Sequence, residues 1–465
     1  MTRRQRVGSD NLALFDAASL GDSRTIVAIS TAPGRGALAV VRVSGPDVRR
    51  LASLLLDPAP TIGRHATYCV VRDAAGRILD DVIATLYTGP ESFTGEDVLE
   101  VCTHGGLVVP VTVLAAVIHA GARQAEPGEF TRRAVLNGKL DLLQAEAIGD
   151  LIDARSAAAH QLALRQLDGG LSRRVQLLRE DILRLEALLA YEIDFPGEDD
   201  GPVPDAQIVS AAERLVSALN TLLATAREGT LIHEGAVVVL AGAPNVGKSS
   251  LFNALLGESR AIVTDMPGTT RDAIEAVLDL PGWPLRLIDT AGIHDTTDPV
   301  EQHGIKVSSR YLARAELVLV CVDSLDAARE VAKVRQLTEA PILVVGTKSD
   351  LVSRNGDNGA DIAVSAHTGE GLVALLQAIE TRLGTIRGLP TLDAPVLTRI
   401  RHRIAIETAS GELRKFLALW TTKKLPTPMA ATHVHAAAEA LSELIGVVGV
   451  DDILDVVFRS FCVGK

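Results

Sequence analysis

The stretch Val237 to Leu251, VVVLAGAPNVGKSSL, constrains this chain more than any other. A valine-rich apolar run ends at Gly242, four residues follow, and then come Gly247, Lys248 and Ser249. This is the G-x-x-x-x-G-K-[ST] spacing, in which a strand turns through a loop of backbone N–H groups into a helix. The loop cradles phosphates against the helix N-terminus. Lys248 is suited to neutralising the outer phosphates and the Ser249 hydroxyl to holding Mg2+. A chance glycine-rich turn would lack both the strand before it and the LFNALLG helical pattern after it, and both are present. The spacing therefore implies a nucleotide-binding α/β domain.

Four further signals follow in order. PGTTRD offers Thr269 and Thr270 as hydroxyls for the metal from a switch loop. DTAG (Asp289, Thr290, Ala291, Gly292) follows the strand LRLI, with Asp289 at the strand end near Mg2+ and Gly292 where an N–H meets a γ-phosphate. TKSD (Thr347, Lys348, Ser349, Asp350) follows PILVVG, and an aspartate there accepts two hydrogen bonds from guanine. SAHTGEGL places Ser365, Ala366 and His367 behind the base. Each motif is weak alone. Five in order on alternating strands describe a GTPase domain that resembles the Ras-like and translation-factor superfamily. Thr347 stands where that superfamily usually has asparagine, which leaves the asparagine's bracing of the loops in question.

The residue after DTAG is Ile293 rather than a glutamine that orients water, so another group must take that role. Glu301 is one candidate; the alternative is a solvated loop carboxylate. Asn245 in the P-loop reads either as a turn former or as a carbonyl ligand for a monovalent cation.

The 465 residues allow two or three domains. Residues 1–24 read as a mobile extension, basic at first but without the apolar core of a signal peptide. TIVAISTA, ALAVVRVSG, ATYCVVRD and VIATLYTG are strand-like, giving an α+β domain over 25–138. Leucine and alanine then recur at three- and four-residue spacing over 139–228, and a second helical tract occupies 388–465. The GTPase domain, 229–387, reads as an insertion between two tracts that pack on each other, since neither tract holds a complete core alone; the alternative is four domains in series. No run is long and apolar enough to span a membrane. Cys69, Cys102, Cys321 and Cys462 lie far apart, without metal-ligand spacing, which fits a reducing cytoplasm. With a net charge of −12, any nucleic-acid contact needs a local basic patch. Val396 to Leu425 (Arg399, Arg401, Arg403, Arg414, Lys415, Lys423, Lys424) is the candidate; the alternative is a solvated helix face.

From Thr25 to Lys465 the chain resembles the bacterial tRNA modification GTPase family MnmE (TrmE). The resemblance rests on TIVAISTAPGRGALAVVRVSG, GPESFTGEDVLE with HGG behind it, PGEFTRRAVLNGKLDLLQAEAIGDLIDA, the GTPase motifs and the terminal FCVGK. It implies a folate-binding, dimerising N-terminal domain, a helical domain of two chain segments, and an inserted Ras-like P-loop GTPase domain. It further implies a homodimer that works with the flavoprotein MnmG, as a heterotetramer, on tRNA. The complex would add a carboxymethylaminomethyl or aminomethyl group to the wobble uridine, with carbon from 5,10-methylene- or 5-formyl-tetrahydrofolate.

Carried over by position, Arg42, Glu100, Lys139 and Lys465 would contact folate. Asn245, Thr264, Met266 and Thr269 would enclose K+, with Met266 using its backbone carbonyl. Ser249 and Thr270 would hold Mg2+, and Glu301 would orient water. The GTP site would comprise Asn245, Val246, Gly247, Lys248, Ser249 and Ser250, then Thr264, Asp265, Met266, Pro267, Gly268, Thr269 and Thr270, with the DTAG, TKSD and Ser365–His367 groups. Lys248 joins Glu301 as a catalytic candidate. Cys462 reads as a thiolate nucleophile near Lys465 or as a packed apolar residue. Two rivals are a ribosome-assembly GTPase switch and a folate-dependent aminomethyltransferase with a regulatory G domain.

Overall fold

The computed structural model describes residues 23–194, 204–258, 274–280, 284–289, 310–323, 327–351, 359–387, 394–422, 426–447, 461 and 464. The chain divides into two compact units, Met1–Ala145 with Val448–Lys465, and Glu146–Val447.

Alternating burial builds the first unit. Its elements are β1 (Ile26–Ile29), β2 (Leu38–Ser44), α1 (Val48–Leu55), β3 (Leu56–Asp57), β4 (Ala66–Arg72), β5 (Ile78–Tyr87), β6 (Val98–His104), α2 (Val109–His119), β7 (Arg123–Gln124) and α3 (Glu129–Leu136). The strands form a seven-stranded sheet in the order β3-β4-β5-β6-β2-β1-β7. In β2, Val41 and Val43 point into the core while Val40 and Arg42 point the other way, as a period of two requires. Val48, Leu51 and Leu55 of α1 and Val113 and Val117 of α2 close the core on one face. On the other face, Phe130 of α3 packs with Ile26 and Ala28. Gly464, from FCVGK, belongs to this unit. Its carbonyl accepts from Ser30 Oγ at 2.9 Å, and at φ +99° a Cβ there would lie 2.5 Å from Ile29 O.

The second unit begins within α4 (Leu142–Asp153) and continues through α5 (Ala157–Leu167), α6 (Gly170–Asp194), α7 (Asp205–Ala224) and α8 (Ala226–Glu234). The helical tract read from sequence breaks at two caps. Ser156 Oγ accepts from Ala159 N–H at 3.1 Å to start α5, and Gly169 at φ +81° ends it. There follow β8 (Ala236–Ala241), α9 (Lys248–Glu258), β9 (Ile274–Asp279), β10 (Pro284–Asp289), β11 (Leu317–Val322), α10 (Ala327–Arg335), β12 (Ile342–Gly346), β13 (Ile362–Ala363) and α11 (Leu372–Arg387). These strands make a sheet ordered β13-β12-β11-β8-β10-β9, parallel except for β9. Every residue of β11 is buried, which is the continuous apolar run of a strand covered on both faces.

The chain ends its described helices with α12 (Ile400–Thr422) and α13 (Thr427–Ile445). Buried positions alternate by three and four in each long helix. They are Leu171, Val175, Leu178, Ile182, Leu185 and Leu189 in α6, and Ile208, Ala212, Leu215, Leu219 and Leu222 in α7. In α12 they are His402, Ile406, Ala409, Leu413, Phe416 and Trp420, and in α13 Ala430, Val434, Ala437, Leu441 and Leu444. A period near 3.5 keeps one seam inward, and α6, α7, α12 and α13 pack as a four-helix bundle. Helices from before and after the nucleotide sheet thus share one core.

Candidate functional site

The P-loop leaves β8 at a glycine because nothing larger fits. Gly242 has φ +138°, and a Cβ there would stand 2.4 Å from Cys321 O in β11. Asn245 (φ +59°) and Gly247 (φ +107°) both take left-handed backbone, which turns the intervening peptides inward before α9 begins at Lys248. Lys248 is 6% exposed, and its Nζ donates to Gly242 O (3.1 Å) and Ala243 O (2.8 Å). Burial lowers its pKa, against the pull of Cys321 and Asp289. Ser249 Oγ donates to Asp289 Oδ2 at 2.6 Å, and Asp289 Oδ1 is buried without a hydrogen-bond partner. Burial raises the Asp289 pKa, with Ser249 and Lys248 opposing. A hydroxyl, a carboxylate and a spare carboxylate oxygen form an oxygen donor set that suits a hard divalent cation.

The TKSD segment meets the P-loop directly, and the SAHTGEGL segment meets TKSD. Thr347 Oγ1 donates towards Val246 O (2.5 Å) and Val322 O (3.2 Å), so its hydroxyl ties P-loop, β11 and the TKSD turn together. The bracing left in question by the missing asparagine is made here by threonine. Lys348, at φ +57°, extends Nζ to Asn245 O (2.8 Å) and Asp323 Oδ2 (3.1 Å). Ser365 Oγ donates to Asp350 Oδ1 at 2.6 Å, which lowers the pKa of that exposed carboxylate and fixes its plane. Ser349 N–H is anchored on Val364 O at 3.1 Å. Ala366 is half-buried, and His367 and Ser250 are exposed beside these groups. Thr264 to Thr270, Thr290, Ala291, Gly292 and Glu301 lie outside the described residues, as do Cys462 and Lys465.

A second cluster lies in the first unit. Arg42 and Glu100 are partners across β2 and β6, with Arg42 Nε and Nη2 donating to Glu100 Oε1 at 3.0 and 2.7 Å. The guanidinium stands 5.4 Å from the Phe93 ring centroid and 5.8 Å from that of Phe130. Burial and the neighbouring Glu100 raise the Tyr87 pKa. Lys139 is exposed; a Cβ at Gly95 would meet its Cγ at 3.4 Å, so it lies along the same SFTGE turn as Phe93. Beneath that turn, Arg133 binds Glu96 (3.0 Å) and Glu129 (3.4 Å), and Ser44 Oγ donates to Glu96 Oε2 at 2.7 Å. Reading the sequence overlooked Phe93, Phe130 and Tyr87 as neighbours of Arg42. The aromatics in GPESFTGE and PGEFTRR were the available signal.

The basic stretch is largely engaged within the protein. Arg399 pairs with Asp150, Arg401 with Glu146 at 3.0 Å, and Lys415 with Glu412 at 2.6 Å. Arg414 donates to Asn220 Oδ1 at 2.7 Å, and Lys423 and Lys424 lie outside the described residues. Among the described residues no helix is long and apolar enough to cross a membrane.

Two family models match: the GTP-binding protein TrmE N-terminus over residues 25–139 and the MnmE helical domain over residues 142–462. The tRNA modification GTPase MnmE of Moorella thermoacetica is 39% identical over 461 residues, 95% of this chain and 99% of that one. The protein of the same description from Thiobacillus denitrificans is 42% identical over 444 residues, covering 95% and 98%. That from Neisseria meningitidis is 42% identical over 451 residues, covering 95% and 99%.

Proposed function

The chain belongs to the MnmE (TrmE) family of tRNA modification GTPases, and on that premise we propose that its GTP turnover serves modification of the wobble uridine of tRNA. It is a GTP hydrolase of P-loop fold acting in tRNA modification. The observation that carries the reading is the joining of one phosphate loop to a carboxylate set for guanine, through Thr347 on Val246 and Ser365 on Asp350.

Within that reading, Asp350 accepts from the guanine N–H groups and Lys248 neutralises the phosphates. Ser249, Thr270 and Asp289 hold Mg2+, which offsets charge building between the phosphates. Asn245 supplies a ligand for K+ with Thr264, Met266 and Thr269. Its exposed side chain and left-handed backbone at the rim of the loop support this assignment. Glu301 orients the attacking water. Arg42, Glu100, Lys139 and Lys465 take the tetrahydrofolate derivative. The guanidinium, carboxylate, phenol and two phenyl rings around Arg42 suit a flat heterocycle bearing N–H donors. Residues 139–228 and 388–465 act as one helical domain around the GTPase domain 229–387, a reading supported by the shared bundle of α6, α7, α12 and α13. The protein works in the cytoplasm as a homodimer with the flavoprotein MnmG.

The test is mass spectrometry of wobble nucleosides in tRNA from a strain lacking the gene. Loss of carboxymethylaminomethyl-type uridines, restored by the intact gene but not by Lys248→Ala, is expected. An unchanged nucleoside profile would overturn the modification role and leave the GTPase.

A further inference from the structure

We infer that α5 is the element through which the helical bundle reads the nucleotide state, with the β9–β10 hairpin as the lever. The hairpin has two ends. At one, Ile274 pairs with Asp289, whose carboxylate holds Ser249 of the P-loop. Here β9 follows PGTTRD in sequence and β10 leads into DTAG. At the other end Pro284 pairs with Asp279, and the Asp279 carboxylate accepts from the Ala157 N–H, at 3.2 Å to Oδ2 and 3.4 Å to Oδ1.

Ala157 is the first residue of α5, so Asp279 lies on the positive end of that helix. The free N–H groups of the first turn are shared out. Ser156 Oγ takes that of Ala159, and Asp279 takes that of Ala157. An apolar contact backs the polar one, with Leu162 buried in one cluster with Leu278 and Leu285, and Ala158 and Leu280 against it.

The lever is stiff. Continuous antiparallel pairing joins its strands, and Arg286 grips Glu275 across them with both Nε and Nη2, the latter at 2.8 Å from Oε2. A shift at the nucleotide end therefore moves the tip rather than bending the hairpin. Near the far end of α5, Gln166 Nε2 donates to Val396 O and Thr398 Oγ1, both at 3.2 Å. Those residues lead into α12 of the bundle. Packed and hydrogen-bonded contacts thus run unbroken from Asp289 to α12. Asp279 is a positioning residue in this scheme and touches no substrate.

Hydrogen–deuterium exchange on the full-length protein, with GDP or with guanylyl imidodiphosphate, tests the inference. Amides of α5 in the wild type should differ by about fivefold or more between the two nucleotides. Ala157→Pro removes the donor and puts the ring Cδ in the place of its hydrogen, so the Asp279 carboxylate must turn away from the helix. Proline suits a first helical position, the preceding Ser156 is extended (φ −144°, ψ 157°), and Ala157 is exposed. In Ala157→Pro and in Asp279→Ala the nucleotide-dependent difference in α5 should fall below about twofold, with GDP affinity held within about threefold. Three outcomes would each overturn the inference. These are equal α5 exchange in the two wild-type states, a difference that survives both variants, and a loss of nucleotide affinity beyond about tenfold, which would place Asp279 in the fold of the nucleotide domain alone.

Discussion

A single hydroxyl at residue 347 does the work of a longer amide. It is 4% exposed and has two backbone carbonyls within reach, from segments 101 and 25 residues away in sequence. Removing it leaves Val246 O short of the hydroxyl donor in a dry site, while Val322 O keeps the Thr347 N–H at 2.8 Å, a loss of about 1–2 kcal/mol. Thr347→Val should therefore weaken GDP binding by about five- to thirtyfold in a fluorescent-nucleotide titration. Thr347→Ser, which keeps the hydroxyl, should stay within about threefold. Equal affinities for the valine and serine variants would remove the tie from the nucleotide site. Lys248, Ser249 and Asp289 were legible in sequence because each sits at a fixed offset from a strand end. The Thr347 tie was not legible, because its partners are carbonyls, which carry no residue signature.

At the scale of elements, the three-and-four spacing of the bundle helices was readable, and one interruption of it was not. His402 occupies a buried seam position in α12, and its Nε2 meets Glu146 Oε2 of α4 at 2.7 Å. Burial alone would raise the Glu146 pKa, yet His402 and Arg401 outweigh it and hold the group at about 2, against an ordinary 4.5. Burial lowers the His402 pKa, against the pull of Glu146. Both shifts act in one direction. In acid the unfolded chain takes up protons that the folded pair refuses, so stability is full above about pH 6.5 and falls as pH drops towards 2. The Glu146 share is roughly 3 kcal/mol. Urea midpoints measured from pH 7 to pH 3 should fall accordingly. Glu146→Gln should cost about 3–5 kcal/mol at pH 7, by leaving Arg401 without its counter-charge, and should flatten the pH profile. A profile as steep as that of the wild type would assign the acid sensitivity elsewhere. Sequence pattern hid this pair because a charged residue at a seam position reads as a break in the apolar stripe until its partner from another helix is known.

For the whole molecule, the order of α+β, helical and P-loop segments was visible in changes of hydrophobic period. The engagement of the basic stretch was not, since Arg399 and Arg401 meet acids some 250 residues earlier, at sequence separations of 249 and 255. The proposed cation dependence also belongs at this scale, because it governs turnover by the complete enzyme. At matched ionic strength, Na+ in place of K+ should leave GTP turnover at least about tenfold slower, as expected when a transition-state cation is lost. Equal rates would defeat the Asn245 assignment.

The four-helix bundle also sets a timetable for synthesis. Helices α6 and α7 leave the ribosome with leucine seams made, while their partners α12 and α13 are still to be translated. At ordinary elongation rates the wait is on the order of tens of seconds. In that interval the nucleotide sheet can close on its own local strands, whereas the first two helices keep exposed the part of their apolar seam that α12 and α13 will cover. A nascent chain stalled before Ile400 would thus present a formed P-loop on an unfinished stem, and that stem is where a chaperone would find its grip.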